Sequence, residues 1–143
     1  MNTLFNTLKP WTDLAGRILI AAIFITAGWS KIGGYAGTQG YMESVGVPGA
    51  LLPLVILLEL GGGLAIVAGL LTRVTALALA GFSIVSAVLF HGGADQMQQI
   101  MFMKNIAMAG GFLFLVANGA GRISVDAWLA ARRGAPVTTA AIA

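Results

Sequence analysis

The chain has no cysteine among its 143 residues and a single histidine, His91. Those two scarcities exclude disulfides, CxxC redox chemistry, iron–sulfur ligation, thiolate zinc sites and bis-histidine haem ligation. One His and one span-embedded Glu are too few ligands for zinc, so neither a metal site nor a built-in cofactor is expected. No strand followed by a glycine-rich turn is present to carry a flavin or nicotinamide fold. Charge is scarce as well: 9% of residues are Asp, Glu, Lys or Arg, against about 25% in a soluble domain. The net charge of +3 resides on basic residues that flank apolar runs rather than forming a patch, which argues against nucleic acid as a partner.

What the sequence does have is apolar length. Hydrophobic residues make up 58%, and 20 glycines are spread through the apolar stretches, a composition suited to close helix contact in lipid. Four apolar runs stand out, over about 14–32, 49–71, 74–90 and 100–118, each near the roughly 20 residues a spanning helix needs. The first is too long for a signal-peptide core, carries Arg17 and precedes three comparable runs, so it is read as a span. The expected fold is all-α, an integral membrane four-helix bundle forming one domain over 1–143, with the lipid bilayer as its principal partner.

Basic residues set the expected topology. Lys9, Arg17, Arg73, Arg122, Arg132 and Arg133 fall on one side, and only Lys31 and Lys104 on the other. The positive-inside rule then puts both termini in the cytoplasm. Trp11 and Trp128 fall at the inner interface and Trp29, Tyr35 and Tyr41 at the outer one, as amphipathic aromatics prefer. The second loop, about Leu71-Thr72-Arg73, is short enough to force a tight antiparallel hairpin. A short amphipathic patch, Tyr41-Met42-Glu43-Ser44-Val45, is expected on the outer surface as a partial lid. Ser124 is a plausible N-cap for a short interfacial helix over 122–133.

Ionisable groups inside spans are costly in lipid and mark functional sites by default. Glu59 lies near the middle of the second run, Lys31 ends the first, His91 ends the third, and Lys104-Asn105 opens the fourth. Lys31, His91 and Lys104 fall in the outer half of the expected bilayer, at or somewhat above the depth of Glu59, and Arg17 in the inner half. Each has a structural alternative. Glu59 could form a salt bridge with Arg17 or Lys104 that only fixes helix register. Arg17 and Lys31 could snorkel to the two interfaces, and His91 could be a hydrogen-bonded interface residue. Gly61-xxx-Ala65-xxx-Gly69 reads as a helix-packing ridge. Two lysines against one carboxylate favour an anion or an electron-rich oxygen as ligand.

The ordered set Arg17-x-x-x-Ala21, Phe24, Ala27-Gly28-x-x-Lys31, Gly46-Val47-Pro48, Glu59-x-x-Gly62-Gly63, Ala68-Gly69-x-x-x-Arg73, His91, Lys104-Asn105 and Gly110-Gly111 resembles the DoxX family, over about Asp13 to Asp126. The resemblance implies a four-helix protein of the bacterial inner membrane described as an oxidoreductase, with quinone-linked relatives. Carried over residue by residue, it points to Glu59, His91 and Lys104 as catalytic and to Lys31, Asn105 and, second, Arg17 as ligand-binding. The expected function is a quinone-linked oxidoreductase or the membrane subunit of one, taking electrons through a diffusible quinone or a redox partner protein. The alternatives are a non-enzymatic binding or transport module for a small anionic or lipid-like molecule, and a structural or assembly subunit. Exposed Gly and Ala ridges also leave room for a homo-oligomer.

Overall fold

The computed structural model describes residues 2–134, and every regular element among them is helical. In chain order these are α1 (Asn2–Gly33), α2 (Tyr35–Ser44), α3 (Gly49–Ala68), α4 (Thr72–Phe90), α5 (Gln96–Asn118) and α6 (Val125–Arg132). Four of them, α1, α3, α4 and α5, are long and apolar enough to cross a membrane. The burial pattern is that of a protein dissolved in lipid. Large apolar side chains such as Leu19, Leu57, Val74 and Phe114 point outward, while Ala21, Ala76, Ala80 and Ala109 fill the interior. Small residues inside let helix backbones approach where no hydrophobic driving force from water exists.

Hydropathy marks where the bilayer is crossed, not where a helix starts, and α1 illustrates the difference. It begins at Asn2, a dozen residues before the expected span, and runs for 32 residues, about 48 Å, well beyond the roughly 30 Å hydrocarbon layer. Likewise α5 begins at Gln96 rather than near Ile100. Asp95 caps it by accepting from the Gln98 backbone N–H at 3.1 Å, a D-x-x-Q start signal that is visible in the sequence.

Of the glycines in the expected ridge, Gly69 is closely packed, against Arg17, Ser124 and Ala120, whereas at Gly61 the contact passes to the neighbouring Gly62 and Gly63. A Cβ on Gly63 would sit 2.7 Å from Ile25 Cγ1, and one on Gly28 would sit 2.8 Å from the Leu60 backbone nitrogen, whereas Gly61 meets only Leu57 of its own helix. Just before Gly62 and Gly63 the helix contains a π turn over Leu57–Gly61, which changes their register relative to Leu52–Ile56. Its extra residue rotates the rest of the helix away from the face counted at 3.6 residues per turn. Through these contacts α1 lies along α3. Elsewhere α4 runs antiparallel along α5, and the two pairs meet in a core of Ala21, Phe24, Ile66, Ala76, Leu79, Ala80, Ala109 and Phe112. Phe24 meets Phe112 edge-on, with ring centroids 5.2 Å apart.

One end of the bundle is tied by polar contacts. The turn between α3 and α4 is Gly69-Leu70-Leu71, two residues earlier than expected, because the carboxylate of Asp126 acts as a cap from another helix. Its two oxygens accept from the N–H groups of Leu71 at 2.8 Å and Thr72 at 2.9 Å, so α4 starts at once. Its own N–H donates to the Gly69 carbonyl at 2.9 Å. Leu71 is held in the left-handed region at φ 47°, a conformation a branched side chain adopts only under such constraint. Ser124 caps α6 by accepting from the Ala127 N–H at 3.1 Å, and Arg132 lies 3.9 Å over the Trp128 ring.

Candidate functional site

At the other end the helices part around a cavity of about 500 Å³. Phe24, Phe82 and Met108 contribute to its lining next to the core, and α2 supplies Thr38, Tyr41 and Met42. The lining is overwhelmingly apolar, yet it includes Lys31 from α1, Glu59 from α3, His91 at the end of α4, and Lys104 and Asn105 from α5. Five of the six residues singled out in the sequence thus border a single space.

Glu59 sits inside the π turn and is buried. Its partner is Lys31, not Arg17 or Lys104, because the close approach of Gly28 to Leu60 brings the last turns of α1 against this part of α3. Lys31 Nζ donates to Glu59 Oε1 at 3.0 Å. The second oxygen, Oε2, lies 2.7 Å from the same ammonium but makes no aligned hydrogen bond. Short distance without alignment gives Coulomb attraction and leaves acceptor capacity unused. Oε2 is itself buried, with the Lys31 ammonium as its neighbour.

His91 ends α4, its backbone N–H donating to Ala87 O at 3.1 Å. Its Nδ1 lies 2.8 Å from Gln98 Oε1. An amide oxygen accepts only, so Nδ1 is the donor of this pair, and in the neutral ring that tautomer leaves Nε2 as an acceptor. The same ring borders a second, shallow pocket of about 360 Å³ with Gly92, Gly93 and Phe102. Lys104 is exposed at the mouth, its nearest polar contact being Met101 Sδ at 3.9 Å. No carboxylate among the described residues pairs with it. Asn105 donates through Nδ2 to the Met101 carbonyl at 2.9 Å, which orients its side chain.

These positions set the electrostatics of the rim. Lys31 and Glu59 cancel and Lys104 has no ionic partner among the described residues, while two further carboxylates stand at the same end: Asp95 caps the N-terminal end of α5, and Glu43 of α2 lies beside Gly49 at the start of α3.

Arg17 is elsewhere and does something else. It is fully buried at the Arg17–Asp126 end, where Nη1 donates to the carbonyls of Ile66 at 3.1 Å and Val67 at 2.8 Å and Nη2 donates to Ile123 O. It does not snorkel to the interface; it satisfies the open carbonyls at the C-terminal end of α3 and binds the α5–α6 connection to them. Sequence reasoning missed Gln98, which fixes the His91 tautomer, and the π turn that carries Glu59. The capping signal at Asp95 would have placed Gln98 in the first turn of α5, but nothing in the residues announces the π turn.

The DoxX family model matches residues 12–92, more than half of the chain. The chain belongs to the DoxX family. The matched region holds Lys31, Glu59 and His91, while Lys104 and Asn105 lie beyond it. Among curated proteins, Inner membrane protein YqjF of Escherichia coli (strain K12) is 60% identical over 114 residues, which covers 79% of this chain and 88% of that protein. Inner membrane protein YphA of the same organism is 36% identical over 138 residues, covering 88% of this chain and 99% of that protein. No solved structure matches. This DoxX-family membrane protein thus joins a four-span bundle to a polar-rimmed apolar cavity.

Proposed function

We propose that the chain binds a quinone-class molecule in this cavity and acts as a quinone-linked oxidoreductase or as the membrane subunit of one. The observation that carries the reading is the meeting of Lys31, Glu59, His91, Lys104 and Asn105 on one otherwise apolar cavity. A quinone ring is a flat apolar body with oxygens at opposite edges, which suits apolar walls with a few convergent polar groups. Lys104 and Lys31 donate to a ring oxygen and stabilise negative charge on it. Reducing the quinone takes two electrons, which a redox partner protein supplies, and two protons, which come from water and are relayed to the ring oxygens by His91 and the Glu59 carboxylate; the same two side chains take the protons back when the quinol is oxidised. The names of YqjF and YphA, with the four spans, support placement in the bacterial inner membrane. The Arg-rich end, with Arg73, Arg122, Arg132 and Arg133, faces the cytoplasm by the positive-inside rule together with both termini, so the cavity lies in the outer half of the bilayer.

The test pairs binding with turnover. Purified wild-type and Glu59→Gln proteins are titrated with a quinone, and membranes carrying each are assayed for reductant-dependent quinone reduction. Loss of both in Glu59→Gln is the expected result. Binding without turnover in the wild type favours a binding module on the same geometry, and absence of both removes the proposal.

A further inference from the structure

The cavity has a roof and an open side. At the end of the bundle, α2 closes it: Met42 is buried, the Tyr41 ring lies 5.6 Å from Phe90 of α4, and Gln39 Nε2 donates to the Gly49 carbonyl at the start of α3 at 3.2 Å. Between α3 and α4 the situation is the reverse. Leu51 and Leu54 of α3 and Val85 and Leu89 of α4 all line the cavity, yet they are 45%, 62%, 54% and 46% exposed. Side chains that line the cavity and are also about half exposed stand at its open border, and these four face one another from neighbouring helices. Spacing puts Leu51 and Leu54 on one face of α3, and Val85 and Leu89 on one face of α4. The two helices run antiparallel from a tight turn at Gly69–Leu71 and are held together there by Gly62 against Leu79. Contacts between the two helices concentrate on Gly62–Ala68 and thin out over Leu52–Ile56, and both helices are apolar enough to cross a membrane, so the opening faces acyl chains.

Resting on the quinone reading above, we infer that the cavity takes an isoprenoid-tailed amphiphile drawn sideways from the bilayer. Its polar ring seats against Lys31, Glu59 and Lys104, and its tail leaves between Leu51 and Leu54 of α3 and Val85 and Leu89 of α4. Apolar groups on both lips make this passage free of desolvation cost for a hydrocarbon. A ring without a tail makes no use of the gap between α3 and α4.

The full chain in nanodiscs is titrated with two quinones that share one ring, one carrying an isoprenoid tail and one without it. In Leu54→Trp/Val85→Trp, which fills the gap and leaves every polar cavity residue in place, affinity for the tailed quinone falls by at least about tenfold and that for the tail-less ring does not change. Unchanged binding of both, or equal loss of both, overturns the inference. A ligand-free readout separates its failure from that of the quinone reading. Trp11, Trp29 and Trp128 are replaced by Phe, Phe82→Trp is introduced on the cavity wall, and the lipids carry bromine at mid-chain. Quenching at position 82 that is relieved by Leu54→Phe/Val85→Phe is expected, and no quenching, or quenching unmoved by those changes, overturns the lateral gap. If the wild type binds neither quinone while position 82 is quenched, the quinone ring is removed and the tailed-lipid class is supported; if neither quinone binds and no quenching occurs, both readings fall.

Discussion

The ammonium of Lys31 lies 3.0 Å from one oxygen of Glu59 and 2.7 Å from the other, tying the last turns of α1 to the π turn of α3. A quarter of the Lys31 side chain is exposed, against 7% for Glu59, so the pair stands at the boundary between the cavity and the packed wall. Attraction in that setting is opposed by the desolvation of both groups, and the larger penalty comes from breaking the pair on one side only.

Glu59→Gln therefore destabilises the protein by about 1–3 kcal/mol, the low end of buried-pair losses because Lys31 retains some access to polar surroundings. The double change Lys31→Met/Glu59→Gln recovers much of that loss, since no uncompensated charge remains. Unfolding in detergent followed by helical circular dichroism, run as a double-mutant cycle, measures the coupling. Additive losses would show that the two side chains do not act as a pair.

Arg17→Met costs about 2–4 kcal/mol through the loss of charged hydrogen bonds to three carbonyls, with ligand binding unchanged. Arg17→Lys recovers less than half, because a single ammonium cannot span Ile66, Val67 and Ile123 as a guanidinium fork does. The same unfolding assay, combined with a binding titration, checks both parts. A binding defect at full stability would move Arg17 into the site.

Glycine contacts give a paired prediction. Gly63→Ala and Gly28→Ala push a methyl to within 2.7–2.8 Å of the neighbouring helix and cost about 1–3 kcal/mol by overpacking. Gly81, in the middle of α4, has open space around its missing Cβ, so Gly81→Ala is neutral or stabilising by up to about 1 kcal/mol. Unfolding midpoints of the three variants decide this, and equal effects would contradict the packing described for α1 and α3.

Lys104→Met leaves stability within about 0.5 kcal/mol, as expected for an exposed side chain with no ionic partner. Quinone affinity, in contrast, falls by about tenfold with the loss of a charged donor. A thermal shift assay with and without the quinone separates the two quantities.

Much of this molecule was legible from residue types alone, because lipid imposes stringent rules. Four apolar runs became four spans, and the cost of charge in lipid explains why Lys31, Glu59, His91 and Lys104 converge on one cavity. What the residues concealed came from local geometry and from partners distant in sequence. No residue pattern announces the π turn at Leu57–Gly61 that carries Glu59, and the close approach of Gly28 to Leu60 left Glu59 to Lys31 rather than to Arg17 or Lys104. Asp126, 55 residues beyond Leu71, moved the α3–α4 turn by two positions. Arg17 looked like a snorkelling residue because snorkelling is read from hydropathy, whereas its real partners are backbone carbonyls, which no sequence pattern displays. The short patch expected at Tyr41–Val45 proved to be the end of the longer helix α2, whose polar Thr38 and Gln39 had masked its extent.

Native mass spectrometry of the protein extracted with its lipids asks whether the cavity bordered by Lys31, Glu59 and Lys104 holds a quinone-class molecule. The wild type is expected to carry about one quinone per chain, depleted in Lys104→Met. A wild-type protein that carries no quinone, or a Lys104→Met variant that carries the same amount, would contradict the quinone reading.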